Sequence, residues 1–167
     1  MSLPMYGYQL TRWTTILVDF QIHEYRYLKL NYESTINWKQ STDHLWSNPS
    51  FHGSLHFNCT LIQLTAARTI FVKIILMFKC EVTDVSTFQL ALIQPYTASI
   101  PGGSCRINRD LRLTRVKAVP RGDSIFVPLK SFIQGAVLAH DPEHQDKFVV
   151  IKHIDGDMFL RMKVWAC

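Results

Sequence analysis

Apolar and polar residues alternate along much of the chain, which is the pattern of half-buried β-strands. The first such run lies at residues 16–22, where Ile16, Val18, Phe20 and Ile22 point to one side and polar residues point to the other. We therefore expect the first strand here, with its apolar side in the core.

Further strands are predicted at residues 54–64, 70–82, 88–93 and 125–129. Within the second of these, the apolar run at residues 70–78 is interrupted only by Lys73. It is too short for a membrane-spanning helix, which needs about 20 residues, and its β-branched residues are typical of a central strand.

Two stretches repeat instead with a helical period. Residues 34–46 begin at Ser34, a residue type that is favoured at the N-cap, and residues 129–137 form a shorter stretch. The positions that define the two faces are Trp38, Thr42, Leu45 and Trp46 in the first stretch and Leu129, Phe132, Ile133, Ala136 and Val137 in the second. Both stretches are predicted as helices.

The C-terminal residues predict a β-hairpin. Residues 148–154 and 158–165 both alternate, and Asp155 and Gly156 lie between them. An Asp-Gly pair between two alternating runs is a strong hairpin signal.

Together these elements predict an α+β fold, mainly an antiparallel β-sheet with one or two helices packed on it, in a single domain. Residues 1–12 show little periodicity and are expected to form a flexible arm, so that the globular β-rich domain covers residues 13–167. Residues 94–104 are rich in proline and glycine and are expected to form a mobile surface loop within that domain.

Positive charge is concentrated after this loop. The net charge of +5 is low for a protein that packs nucleic acid, but one short region carries much of it. We call this region the basic stretch; its members are Arg106, Arg109, Arg112, Arg115, Lys117 and Arg121. Arginine suits bidentate contact with phosphate or carboxylate, so an anionic partner is one interpretation. Charged side chains that protect an edge strand from aggregation are the other, and the sequence leaves both open.

The basic stretch limits how such a partner is recognised. A recognition helix is not expected, because the three-residue spacing of the arginines conflicts with the strand pattern around it. Residues 106–119 also contain no aromatic side chain on which a base would stack. Contact with a phosphate backbone or an anionic surface is favoured. Tyr96 and Ile100, in the predicted loop, are candidates for contact with a membrane or a partner.

The sequence contains no recognisable catalytic or metal-binding motif. His140 and His144 lack the continuous helix of a zinc motif, because Pro142 lies between them. Residues 121–123 (Arg-Gly-Asp) follow a proline and are typical of a tight turn. We therefore expect a protein that is not an enzyme, with no cofactor, no metal and no small-molecule substrate. The first ten residues do not resemble a secretion signal, so a protein that is not secreted is expected.

The order of these features resembles that of rhabdovirus matrix proteins, most nearly those of plant-infecting members. The resemblance rests on size, on an arm followed by the strand at residues 16–22, on the aromatic-rich segment 34–46, and on the proline- and glycine-rich loop. The stretch 147–167 completes it, because residues 148–152 (Phe-Val-Val-Ile-Lys) and 162–167 (Met-Lys-Val-Trp-Ala-Cys) look similar to the closing strands of such proteins.

This resemblance implies a viral structural protein that self-associates as a homo-oligomer. It also implies binding to the viral nucleoprotein–RNA complex and peripheral contact with an anionic membrane surface. Such a protein is found in the virion, in the host cytoplasm and at the inner membrane surface. The alternative is a jelly-roll capsid protein or a movement-type protein that binds nucleic acid. Helices on one side of a sheet favour the first interpretation, and two packed sheets favour the second.

Overall fold

The structure, a computed structural model, describes residues 19–51, 54–57, 59–66, 68–83, 86–98, 107–108, 113–142, 146–152 and 155–165. The strands are β1 (Phe20–Tyr25), β2 (Tyr27–Glu33), β3 (Gln40–Phe51), β4 (Ser54–Phe57), β5 (Cys59–Thr65), β6 (Arg68–Val82), β7 (Ser86–Ala98), β8 (Ile107–Asn108), β9 (Leu113–Ala118), β10 (Ile125–Pro128), β11 (Phe132–Ala136), β12 (Leu138–His140) and β13 (Lys147–Val150), and the helix is α1 (Gly156–Trp165). Short 3₁₀ turns at Arg121–Asp123 and Leu129–Ser131 flank β10.

Most strands belong to one antiparallel sheet that closes on itself. Its order is β11-β5-β6-β7-β9-β13-β12. Because only Val137 separates β11 from β12, the two ends of this order are one continuous piece of chain. We call this part the closed sheet. Its interior is filled by alternate residues of its strands, among them Leu61, Phe71, Val116 and Val150.

Helix α1 completes this interior. Met158 is 2% exposed, and both it and Met162, one turn later, pack with the interior residues of the closed sheet. The helix therefore contributes one apolar stripe to the core, as an amphipathic helix does.

Strands β6 and β7 are long and continue beyond the closed sheet. β1 pairs with the C-terminal half of β6, and β10 pairs with the N-terminal half of β7. The register of β6 against β7 shifts between Ile74 and Leu76, which marks a β-bulge, a feature that bends a strand. We call the four-stranded part formed by β1, β10 and the adjoining halves of β6 and β7 the sheet extension.

A second sheet, in the order β2-β3-β4, packs on the larger one. Leu45 of β3 is buried together with Ile62, Val72 and Ile74, and Leu28 of β2 packs against the same cluster. The apolar run of β6 is therefore covered on both faces in its first half. This confirms the prediction that it is a central strand.

The prediction of a helix at residues 34–46 is wrong. Residues 34–39 form the turn of a hairpin, and the remainder belongs to β3, which pairs with β2 from Tyr27↔Trp46 to Glu33↔Gln40. Trp38 has a positive φ of 58°, which a helix does not allow. The backbone N–H of Ser34 donates to the carbonyl of Lys39 across the turn (2.9 Å). The helical spacing of the aromatic residues is outweighed by the pairing of the two strands.

The helix predicted at residues 129–137 is also wrong. Leu129–Ser131 is a single 3₁₀ turn, and β11 follows it. Phe132 and Gln134 are buried with strand spacing, and the carbonyl of Gln134 accepts a hydrogen bond from Thr60 Oγ1 (2.7 Å). Pairing with β5 therefore decides the conformation.

The C-terminal hairpin is confirmed in its first strand, β13, and wrong in its second. Residues 156–165 form α1, because Asp155 caps them: its Oδ1 accepts a hydrogen bond from the N–H of Asp157 (2.9 Å), and its carbonyl accepts one from Phe159 (3.0 Å). The Asp-Gly pair begins a helix here instead of turning a hairpin.

In its coarse form the predicted fold class is confirmed: the protein is mainly antiparallel β-sheet, and α1 is the one α-helix among the described residues. The predicted loop 94–104 starts too early, since residues 94–98 belong to β7. Its remaining residues, and the arm at residues 1–12, lie outside the described residues. The first strand begins at Phe20, and Ile16 and Val18 are likewise not described.

Candidate functional site

Half of the basic stretch is described, and two of its members already have acidic partners. Arg115 and Lys117 lie on the outer side of β9, opposite the buried Val116. Nε of Arg115 lies 3.7 Å from Oδ2 of the buried Asp141, and Nζ of Lys117 lies 2.9 Å from Oδ2 of Asp146. The hydrogen bond from Lys117 lowers the pKa of Asp146. Both basic side chains are therefore partly neutralised within the chain.

No described contact places another member of the basic stretch next to Arg115 and Lys117. Arg121 is exposed in the 3₁₀ turn before β10. Arg106, Arg109 and Arg112 lie outside the described residues, as does Ile100.

The prediction that Tyr96 contacts a membrane or partner from a loop is wrong. Tyr96 lies in β7, is 3% exposed and points into the closed sheet, where its ring meets that of Phe148 edge to face at 5.1 Å. Its hydroxyl lies 3.8 Å from Sγ of Cys59. Burial raises the pKa of Tyr96, so its hydroxyl stays protonated. It is a core residue, because the strand continues past Pro95.

An exposed apolar surface, which sequence reasoning missed, lies on one side of the sheet extension. Strand register places Ile22, Cys80 and Phe88 in one row across three strands, and Leu76, Leu92 and Phe126 in another. We call this side the apolar face. Its most exposed members are Phe126 (63%), Phe20 (57%), Ile22 (56%) and Phe88 (44%). The alternation at residues 16–22 revealed the strand, but not that its apolar side is uncovered.

The opposite side of the sheet extension is polar next to the row formed by Ile22, Cys80 and Phe88. His23 and Lys79 both lie beside Glu81, with Nε2 of His23 at 3.9 Å from its carboxylate. The hydrogen bond from Lys79 lowers the pKa of Glu81. Here the polar side therefore faces water, while nearer the bulge the same side packs on the core through Met77, Ala91 and Val127. On the apolar face Phe78 is buried, but the described part of the chain leaves the four most exposed members uncovered. Contiguous exposed apolar surface of this kind marks an interaction site.

Two cations adjoin β10, one strand of the apolar face, and one carboxylate, Glu24 of β1, lies opposite Phe78 on the same side as Ile22. Arg121 precedes β10 and Lys130 follows it, and both are exposed. Neither has an ion-pair partner among the residues that the structure describes. The exposed ring of Phe126 therefore lies on a strand with an unpaired positive charge near each end.

A cleft of about 350 Å³ lies where the β2–β3 hairpin meets β11 and the start of α1. We call it the acidic cleft, because it contains two carboxylates. Oδ2 of Asp43 accepts a hydrogen bond from the backbone N–H of Gly135 (2.7 Å), and Oδ2 of Asp155 accepts one from Nε2 of Gln134. The residues that line it are Tyr32, Asp43, His44, Leu45, Cys59, Gly135, Ala136, Val137, Ile151, Asp155 and Met158.

The carboxylates of the acidic cleft influence one another, and His44 partly compensates their charge. Burial raises the pKa of Asp43, and the nearby Asp155 raises it further, although the hydrogen bond from Gly135 opposes both. Burial, with the negative charges of Asp43 and Asp155, raises the pKa of Tyr32 to about 12. No group of three or more histidine, cysteine or acidic side chains in the described ranges is placed to hold a metal ion.

Comparison with protein-family models, with curated proteins and with solved structures gives no match for this chain. Among the described residues, no helix has both the length and the apolar character needed to span a membrane.

Proposed function

We propose that this chain is a non-enzymatic structural protein of the viral matrix type. In this proposal it docks peripherally on an anionic membrane through the apolar face, self-associates there, and contacts the nucleoprotein–RNA complex through the basic stretch. The observation that carries the proposal is the apolar face itself, exposed at four large side chains and flanked by Arg121 and Lys130.

The magnitudes support membrane contact. Full burial of a large apolar side chain contributes about 1.5–3 kcal/mol, so four partly exposed ones together contribute several kcal/mol. Each lysine or arginine near an anionic surface adds about 1 kcal/mol. The combination is sufficient for reversible peripheral binding, which needs both apolar area and positive charge.

The nucleoprotein contact rests on fewer groups than the basic stretch contains. Arg115 and Lys117 already face Asp141 and Asp146. Arg121 is already assigned to the membrane contact, so this part of the proposal rests on Arg106, Arg109 and Arg112.

The alternative, a jelly-roll capsid or movement-type protein that binds nucleic acid, is favoured by one observation. The sheet β2-β3-β4 packs on the larger sheet, so the protein has two packed sheets. Fluorescence anisotropy with a labelled single-stranded RNA tests it directly. Submicromolar binding at 150 mM salt, without membrane binding, would favour this alternative.

Liposome flotation of the full chain tests the membrane proposal. We expect flotation with vesicles containing 30% phosphatidylserine at 50 mM NaCl and little flotation with phosphatidylcholine alone. The double variant Ile22→Thr with Phe126→Thr is expected to reduce the bound fraction by about tenfold, because both side chains leave the apolar face. Arg121→Gln with Lys130→Gln is expected to weaken binding to the anionic vesicles alone.

Ile36→Thr is the matched control for this experiment. Ile36 is also 56% exposed, but it lies in the turn between β2 and β3, away from the apolar face. It should float like the unmodified chain. If the chain fails to float at low salt and also sediments as a monomer at all concentrations, the proposal is wrong.

A further inference from the structure

The outer edge of β1 has no partner strand in the described part of the chain, since β1 pairs with β6 alone. Just before β1, the carbonyl of Asp19 accepts a hydrogen bond from the N–H of Thr83 (3.1 Å), so the backbone groups of Asp19 point toward β6. Backbone groups of alternate residues point to opposite sides of a strand, so those of Phe20, Ile22 and Glu24 point away from the sheet. Such an unpaired edge is a template for a further strand.

The other open edges of the sheet extension are shorter or blocked. β10 has four residues and ends in Pro128, which has no N–H to donate. β7 is open, among the described residues of the extension, only at residues 86–89, because β10 pairs with it from Leu90 onwards. β1 is six residues long, contains no proline and is exposed at its first five residues. It is therefore the edge best suited to accept another strand.

The sequence of β1 complements itself when two copies run antiparallel. With Gln21 opposite Gln21 of the second copy, Phe20 lies opposite Ile22 and Asp19 lies opposite His23, and each of these two pairs occurs twice. An aromatic ring then meets a β-branched side chain on one side of the sheet, and a carboxylate meets an imidazole on the other. Cross-strand pairs of both kinds stabilise a sheet. A register shifted by two residues would instead place the carboxylate of Glu24 opposite Phe20.

We propose that β1 of one copy pairs with β1 of a second copy, antiparallel and about a two-fold axis at Gln21, so that two sheet extensions form one continuous sheet. The axis is perpendicular to the sheet, so the apolar faces of both copies point to the same side. This inference rests on the proposed function and deepens it, because it assigns a surface to the self-association.

The pairing satisfies backbone groups that otherwise need water. In this register the N–H and carbonyl of Phe20 exchange hydrogen bonds with those of Ile22 in the second copy, and the two-fold axis repeats the exchange. One pair of short strands buries less than the roughly 1,600 Å² of a standard interface, so we expect a weak dimer with a Kd on the order of 0.1 mM. On a membrane both apolar faces bind at once, and the high local concentration favours the dimer.

Disulfide trapping of the Gln21→Cys variant tests the proposal. Residues opposite each other at this axis form a non-hydrogen-bonded pair, whose Cα atoms lie about 4.5 Å apart, within the range that a disulfide spans. Under mild oxidation, at chain concentrations near the expected Kd, we expect a bridge between the two copies of residue 21 as the main cross-link. Mass spectrometry of the peptides distinguishes it from bridges formed by the four cysteines of the chain.

Gln89→Cys is the matched control. Gln89 is also exposed and lies on the same polar side, in β7 opposite Lys79. Two strands, β6 and β1, separate it from the proposed interface. It should give at least about tenfold less cross-link, because a bridge needs Cα atoms within about 7 Å. Equal cross-linking of the two variants overturns the proposal.

Asp19→Lys tests the register. It places a cation opposite His23 at both ends of the pairing, but leaves the apolar face intact, because Asp19 lies on the polar side. Sedimentation equilibrium of the reduced chain should show a dimer that is about fivefold weaker or more, since an opposite-charge pair is lost twice. Asp123→Lys, in the 3₁₀ turn before β10, makes the same change of charge and should leave the dimer unchanged. Circular dichroism confirms that each variant is folded.

The outcomes separate this inference from the proposed function. A bridge at residue 21, together with a weaker dimer of Asp19→Lys, supports the pairing whether or not the chain floats with vesicles. A dimer that forms without this bridge, or that Asp19→Lys leaves unchanged, overturns the pairing of β1 while self-association stands. A chain that floats but sediments as a monomer at all concentrations overturns the pairing and leaves the membrane contact standing.

Discussion

The two halves of β6 differ in how their apolar side chains are buried. In the first half, before the bulge, successive residues are buried on both faces: Phe71 points into the closed sheet, while Val72 and Ile74 are covered by the second sheet. In the second half one side starts with the buried Met77 and becomes polar at Lys79 and Glu81, and the other belongs to the apolar face.

This difference is already present in the order of the residues. A continuous apolar run is typical of a strand covered on both faces, and alternation is typical of a strand covered on one. Met77 is still buried in the core and Phe78 is only 6% exposed, but beyond them the described residues leave Ile22 and Phe88, which lie on either side of Cys80, uncovered. The first half of β6, together with Met77, thus stabilises the fold, and the end of the strand with its neighbours in β1 and β7 presents a surface.

Replacing isoleucine by threonine at Ile74 in the core and at Ile22 on the apolar face should show the largest difference in stability between the two regions. Ile74→Thr is expected to lower the free energy of unfolding by about 3 kcal/mol, because it leaves a cavity and buries a hydroxyl at a position that is 0% exposed. Urea denaturation at pH 7 measures the change. A loss of less than about 1 kcal/mol would show that the core repacks around Ile74 with little strain.

The attachment of α1 to the turn between β2 and β3 gives the next largest effect. Oδ1 of Asp157 accepts hydrogen bonds from Ser34 Oγ (3.1 Å), Thr35 Oγ1 (2.7 Å) and the backbone N–H of Thr35. Although burial raises the pKa of Asp157, these hydrogen bonds outweigh it and hold the pKa below the ordinary value. Asp157→Ala should therefore lower the free energy of unfolding by about 2 kcal/mol at pH 7.

The pH dependence of this effect has a definite sign. Because the pKa of Asp157 is lower in the folded state, its contribution is fully present above the unfolded pKa of about 3.9 and is lost as the pH falls through the folded value. The difference between the variant and the unmodified chain should shrink from pH 7 to pH 3. Asp123→Ala, at an exposed turn, should change stability by less than about 0.5 kcal/mol at both pH values. A difference that is constant with pH would mean that the carboxylate charge is not what fastens the helix.

The strands were more predictable from the sequence than the helix. Alternation located β1, β6, β7 and β13, because each buries one face or both and so carries a period of two. Alternation predicted a strand in place of α1, because apolar and polar residues also alternate at residues 158–165. A helical signal was present in the cap at Asp155 and in the four-residue spacing of Met158 and Met162, but the Asp-Gly pair outweighed it.

The candidate sites could not be predicted in the same way. The acidic cleft joins Asp43, Gly135 and Asp155, which belong to three different parts of the chain and share no spacing. The apolar face joins Phe20, Phe88 and Phe126 through strand register alone. Only the basic stretch, which is local in sequence, was visible beforehand. Two of its three described members proved to have acidic partners in the chain.

The smallest effect on stability is expected on the apolar face. Ile22→Thr repeats the substitution made at Ile74, but at a side chain that is 56% exposed and on a strand where threonine is well tolerated. The free energy of unfolding should change by less than about 0.5 kcal/mol. Binding of a hydrophobic dye to the folded chain should nevertheless fall, because the dye reports exposed apolar surface. A loss of stability close to that of Ile74→Thr would mean that Ile22 is covered in solution, and that the two halves of β6 are both core.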